Sequence, residues 1–364
     1  MQCAECGDQS DALNKGGSMK NKADKLLAFD PNGVGNTSNN IFGLPFTPGE
    51  SALVFIPVPW DVTVSSREGA SAGPRNILEA SYQIDLYDPF APEAWKLGMA
   101  MEDMDPDILR TSKNLRAKAS RYIEFLERGG RMGENPEMDG IVDEVNATCE
   151  ALAGKLERKC LGYLNNGQVP FVVGGDHSVP VGLIRALARH QPGFGILQID
   201  AHADLRNCYQ GFTHSHASIM RNSMDIGGVG PIVQVGLREV CEEEMTVIRE
   251  NPDRLKPFFD RDNQRKMFEG STWKEICLDI AASLPEKVYV SFDVDGLDPA
   301  LCPGTGTPVP GGLSYSQAMY LLETIVEQGR QIIGADLVET GAGTVDGVVS
   351  CRILYRMAAM MIRQ

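Results

Sequence analysis

Asp200-Ala201-His202-Ala203-Asp204 sets three metal-ligating side chains at every second position, and Asp293-Val294-Asp295 repeats that spacing farther along. At the end of an extended strand, residues i and i+2 point to the same side, so each alternating set can aim its donor atoms at one place. Gly174-Gly175-Asp176-His177-Ser178 adds an imidazole after an apolar run. His177, Asp200, His202, Asp204, Asp293 and Asp295 together offer four carboxylates and two imidazoles. One divalent ion rarely needs that many charged ligands, whereas two ions sharing bridging carboxylates do. Four carboxylates balance two divalent ions, and a bridging hydroxide would leave the centre slightly negative and attractive to a cation. Two metals also lower the pKa of a shared water towards about 7.

Attack by such a hydroxide on an electron-poor carbon leaves an amine that must depart, and departure requires a proton. Histidine is the natural donor near neutral pH. Gly211-Phe212-Thr213-His214-Ser215-His216, just beyond the Asp200–Asp204 segment, offers two. Four of the five histidines thus fall in these motifs, and His190 reads as a surface residue at a helix end. Asp176 and Ser178 are expected to orient ligands rather than to bind metal. Asp298 is expected to brace its loop. Glu339 follows the apolar run Ile332 to Val338 and is therefore expected at a strand end on the same side as the ligands.

Strands must carry these residues. Short apolar runs predict strands over Ala52 to Ile56 (ended by Pro57), Phe171 to Val173, Gly195 to Asp200, Ile232 to Gly236, Lys287 to Asp293 and Ile332 to Val338. Three-and-four spacing of apolar residues predicts helices over Ile141 to Asn165, Val181 to His190, Glu242 to Glu250, Tyr315 to Gln328 and Gly347 to Arg363. Alternation of this kind implies a parallel sheet with helices on both faces, and ligands then gather beyond the carboxyl ends of the strands. Residues 1 to 50 lack periodicity and read as an extension lying over the surface or bridging subunits, with 51 to 364 as the catalytic domain. Ser65 to Pro74 reads as a loop leading into a helix N-terminus.

The segments GGDHS, DAHAD and SFDVDGLDPA resemble the signature motifs of the ureohydrolase family, which includes arginase, agmatinase, guanidinobutyrase and the guanidine and metformin hydrolases. The resemblance spans residues 50 to 361 and fills all six ligand positions with His177, Asp200, His202, Asp204, Asp293 and Asp295. It implies a three-layer α/β/α fold around a mostly parallel sheet. It also implies a binuclear Mn or Ni centre whose bridging hydroxide cleaves a guanidino C–N bond, releasing urea and an amine. His216 falls on the family's proton-shuttling histidine, and Glu339 on its guanidinium-holding glutamate; with Asp204 these are the residues expected to serve catalysis. The stretch LPFTPGESALVFIPVPWDVT is similar to the guanidine and metformin hydrolase branch, so a small or N-alkylated guanidine or biguanide is the expected substrate, with agmatine or guanidinobutyrate as the alternative. The resemblance further implies a trimer or hexamer, or pairing with a homologous subunit, which could itself be a non-catalytic role for this chain. Two positions depart from the family pattern: Ser71-Ala72 stands where many members carry Arg and then an aromatic or His, and Thr340-Gly341-Ala342-Gly343 follows Glu339 where a Pro is usual. The Gly-rich turn is expected either to open space by the substrate or to lead into a helix.

Composition narrows the classes further. The 364 residues carry 34 Lys plus Arg against 49 Asp plus Glu, a net charge of −15, which disfavours nucleic acid and favours a small cationic substrate. A two-metal phosphoesterase or amidohydrolase would use a similar ligand set, but no basic cluster or P-loop accompanies it. No apolar run is long enough to cross a membrane and the amino-terminal stretch is polar, so a cytoplasmic location is expected. The 9 cysteines are scattered through helix-like and strand-like segments and predict no disulfide framework, and Cys3-x-x-Cys6 has no second pair to complete a zinc site.

Overall fold

The computed structural model describes residues 21–362. Eight strands form one parallel sheet: β1 Leu53–Val58, β2 Met99–Met101, β3 Val169–Gly174, β4 Phe194–Ile199, β5 Val229–Leu237, β6 Leu255–Phe259, β7 Lys287–Asp293 and β8 Gln331–Val338. Their order across the sheet is β2-β1-β3-β8-β7-β4-β5-β6. Helices cover both faces, as parallel strands buried on two sides require. Pro106–Glu127, Pro136–Asn165, Val181–His190 and Glu242–Glu250 lend apolar residues to one core cluster, and Gly73–Ser81, Trp273–Ala282, Tyr315–Glu327 and Thr344–Ile362 to the other. This is the three-layer α/β/α arrangement expected from the sequence.

The order matters for the site. Sequence segments β3 and β4 are consecutive, yet β8 and β7 lie between them, so the connections diverge at the middle of the sheet. Such a switch point leaves a crevice beyond the carboxyl ends of the strands. The four neighbours β3, β8, β7 and β4 are the strands that end at His177, Glu339, Asp293–Asp295 and Asp200–Asp204.

Several expectations are corrected. Pro57 does not end β1; it pairs in register with Val173. Leu53 N–H and Phe55 C=O both turn towards the β2 side, so by the strand's period of two Pro57 does too, beyond the last β2 pairing at Met101. There the ring forfeits no ladder bond. The extension expected to lie over the surface instead sends Ile41, Phe42, Leu44 and Phe46 into the core, where all are buried. β2 and β6 escaped the sequence reading because one has only 3 residues and the other carries Pro257 within its run Leu-Lys-Pro-Phe-Phe. Among the described residues no helix is long and apolar enough to cross a membrane, and the described cysteines are free thiols. Cys3 and Cys6 lie outside the described residues.

Candidate metal centre

The six ligand candidates converge. His177 Nδ1 lies 3.0 Å from Asp200 Oδ2, 2.9 Å from Asp204 Oδ2 and 3.3 Å from Asp293 Oδ2. His202 Nδ1 lies 3.0 Å from Asp295 Oδ2 and 3.5 Å from Asp200 Oδ1. Asp200 therefore faces both imidazoles, one oxygen to each, between two groups of donors: His177 with Asp200 and Asp293, and His202 with Asp200 and Asp295. Alternation along the strand ends produces this. Gly296 helps hold the two ligand segments together, because a Cβ there would stand 2.6 Å from Asp200 N.

Supporting bonds fix four of the six ligand candidates. His177 Nε2 contacts Ser291 Oγ at 2.8 Å, and Ser291 donates to Asp336 Oδ1 at 3.2 Å while Tyr289 donates to Asp336 Oδ2 at 2.5 Å. With Nε2 so engaged, Nδ1 is left facing three carboxylates with no hydrogen-bond partner. Gln234 Nε2 donates to Gln198 Oε1 at 2.6 Å, and Gln198 Nε2 donates to Asp200 Oδ2 at 2.8 Å. Asp295 Oδ1 accepts from Ala201 N–H at 3.0 Å, and Asp293 Oδ1 from Asp295 N–H at 2.8 Å. Arg238 braces the second ligand segment from below, donating to Asp295 O at 2.6 Å and Leu297 O at 3.0 Å.

Against the effect of burial, the carboxylates of Asp200, Asp204 and Asp293 raise the His177 imidazole well above its ordinary value, so without a metal ion the cluster takes up a proton in the place of one. The carboxyl groups carry the same message. Burial and the charge of Asp200 push Asp204 up to about 7. Burial and the Asp295 and Asp200 charges raise Asp293 well above the usual range. Oxygen and imidazole donors of this kind suit first-row divalent ions, so the residues present fit a two-ion centre. Asp204 also holds φ of 54° and Glu339 φ of 60°, left-handed backbone that non-glycine side chains rarely adopt and that tends to mark functional positions.

A cavity of about 300 Å³ opens beside the centre, lined by His202, Asp204, His216, Ser65, Arg206, Tyr209 and Thr307 among others. His216 is thus in reach of it. Its imidazole is pushed down to about 4, chiefly by burial and then by the neighbouring His202. His214 is elsewhere: its Nε2 pairs with Glu150 at 2.9 Å, and Glu150 takes both guanidinium arms of Arg185. Glu339 is buried beside His177 and accepts the His177 amide at 2.9 Å through Oε1. Burial, then the Asp176 carboxylate, raises it well above the usual range.

Asp176, expected to orient ligands, instead ties two neighbouring segments together. Oδ1 accepts the amide and hydroxyl of Ser178, and Oδ2 those of Thr63, at 3.3 Å and 3.1 Å respectively for Thr63. Thr63 Oγ1 in turn accepts His216 N–H at 3.2 Å. Asp298 braces its turn through Ala300 N–H. Ser71 and Ala72 do not line the cavity; Ser71 N–H is held by Asp61 at 3.2 Å. The turn after Glu339 opens no space, since a Cβ on Gly341 would meet Gly304 O at 2.3 Å and Asn76 Nδ2 grips Gly341 O at 2.7 Å. It is the start of the helix Thr344–Ile362. Thr63 was missed, and Ser65 was read only as the start of a loop, although Asp61, Thr63 and Ser65 show the same period-two spacing after a strand that marks the metal-ligand candidates. Arg206 and Tyr209 were missed as well, and they stack with the guanidinium carbon 4.7 Å from the ring centroid.

The Arginase family model matches residues 51–343. The N(1)-aminopropylagmatine ureohydrolase of Thermus thermophilus is 33% identical over 300 residues, 82% of this chain and 86% of that protein. The guanidinobutyrase of Pseudomonas aeruginosa is 30% identical over 319 residues, 84% of this chain and 85% of that one. Among solved structures, the agmatine ureohydrolase of Thermoplasma volcanium is similar in fold, with a TM-score of 0.65 at 23% identity, covering 93% of this chain and 97% of that one.

Proposed function

Because this chain belongs to the arginase family, hydrolases that act on C–N bonds of guanidino compounds, we propose that it hydrolyses a compact guanidino substrate to urea or a substituted urea and ammonia or an amine at the His177–Asp295 cluster. The observation that carries this reading is Asp200 with one oxygen turned to His177 and the other to His202. Two divalent ions held by His177, Asp200, His202, Asp204, Asp293 and Asp295 would make a water nucleophilic near neutral pH. Mn and Ni both suit this donor set. Glu339 Oε2, uncommitted to any hydrogen bond among the described residues, would take the planar N–H groups of the guanidinium by charge-assisted bonds. His216 would handle the proton that the departing amine needs. Residues 51–364 form the catalytic unit in this reading and 1–50 an extension whose later part joins the core.

A small or N-alkylated guanidine or biguanide remains the favoured substrate. The cavity is at the small end for ligand sites, although its wall carries Glu239 and Glu244 beside Arg206, carboxylates that a second cationic group could also meet. The names of the relatives favour a second reading, an agmatine-like or guanidinobutyrate substrate. Release of urea or a substituted urea, and of ammonia or the amine, by Mn- or Ni-reconstituted protein from guanidine, metformin, guanidinobutyrate and agmatine separates them. Turnover confined to agmatine would overturn the compact-substrate reading.

A further inference from the structure

We propose that Ser65 carries protons between the cavity and His216, an inference that rests on the guanidino hydrolysis proposed above. Ser65 Oγ lies 3.3 Å from His216 Nε2, and both residues line the cavity. No other hydrogen bond engages that hydroxyl among the described residues. At the opposite edge of the ring, Nδ1 lies 3.3 Å from Ser215 Oγ, which already accepts Ala217 N–H at 3.2 Å. An imidazole nitrogen with a lone pair has one in-plane direction for a proton, and Ser65 Oγ occupies that direction at Nε2. A proton entering or leaving Nε2 therefore passes through the Ser65 hydroxyl.

The loop does not need this hydroxyl for its shape. Arg116 Nη1 clamps Val62 O at 3.2 Å and Val64 O at 2.6 Å, on either side of Thr63. Thr63 is tied to Asp176 and receives the His216 amide. Asp61 Oδ2 takes the amides of Gly69 and Ser71, each at 3.2 Å. Ser65 alone in this stretch turns its side chain to the ring of His216.

The proton traffic closes. The attacking water forms the new C–O bond and yields a proton to Ser65 Oγ as Ser65 passes its own to His216 Nε2, giving an imidazolium. When the C–N bond breaks, its electron pair goes to the departing nitrogen. Ser65 then protonates that nitrogen and is refilled from His216, which ends neutral as it began. A ring that burial makes a strong acid once protonated returns the proton readily.

The test uses the full-length, metal-loaded protein. Ser65→Ala should keep its metal content and Tm, hold KM within about two-fold, and lose kcat by on the order of 10²-fold, with Ser65→Thr restoring most of it. The deficit should shrink for an alkoxyguanidine, whose weakly basic leaving nitrogen departs with less need of a proton. Nitrogen NMR of labelled histidine should show His216 protonated at Nδ1, with its Nε2 resonance moving in Ser65→Ala. Should Ser65→Ala melt early, the ratio of its deficits on the two substrates, measured at a temperature where the variant is folded, makes the same comparison. Unchanged kcat, or an equal deficit on both substrates, overturns the proposal while leaving the hydrolase reading intact. Wild-type protein that releases no urea from any guanidino compound overturns both.

Discussion

Gln198 Nε2 donates to Asp200 Oδ2 at 2.8 Å, placing a neutral amide of a core strand under the one carboxylate that faces both imidazoles. Gln198 stands in register with Gln234 on the next strand, which holds its other end. Removing such an outer hydrogen bond to a metal ligand typically weakens metal binding 10- to 100-fold. Gln198→Leu should therefore show a loss of that order in metal affinity, measured by competition with a chelator, while far-ultraviolet circular dichroism stays unchanged. Asp200→Asn should lose metal and activity together.

The ion-free protein should have an inverted pH dependence of stability. Asp204 is pushed up to about 7 when no cation is present, against about 3.9 in an unfolded chain. Between these values the folded chain holds a proton that the unfolded chain releases, so this stabilisation is full below about pH 4 and lost as pH rises through about 7. Chelated protein should melt at higher temperature at pH 5 than at pH 8, by differential scanning fluorimetry. Added divalent metal should raise Tm mainly at pH 8, because the carboxylates must be deprotonated to bind. A chelated protein more stable at pH 8 would contradict the assignment.

His216→Ala should keep the metals and lose turnover by on the order of 10²-fold or more. His214→Ala should leave kcat near the wild-type value, since His214 pairs with Glu150 away from the cavity. The two variants are compared by steady-state urea release at matched metal content.

Glu339→Gln keeps shape and the bond from His177 N–H but removes the charge that a guanidinium would meet. It should lower kcat/KM with both metals retained. If Glu339 served only to hold the turn, the variant would instead show a lowered Tm with near-normal kinetics.

Much of this was legible in the sequence because the site is made at strand ends. Period-two spacing singled out five of the six ligand candidates and the segment after an apolar run the sixth, His177, while the apolar runs before His177, Asp200, Asp293 and Glu339 placed them on one side of the sheet. What stayed hidden depends on tertiary neighbours. Gln198, Gln234, Ser291 and Asp336 are polar residues inside strands, and only the pairing of those strands shows that they hold Asp200 and His177. Ser65 and Thr63 meet His216 across a long stretch of chain. Ile41 to Phe46 gave no periodicity, since a single turn that drops into a core has none to give.

The central claim, that two divalent ions on one shared carboxylate serve guanidino hydrolysis, is tested most directly by titrating Mn or Ni into chelated protein while following urea release from a turned-over guanidino substrate. The account predicts an end point of two ions per chain, with turnover rising as the second equivalent binds. Full turnover at one ion per chain, or no urea with both equivalents bound, would contradict it.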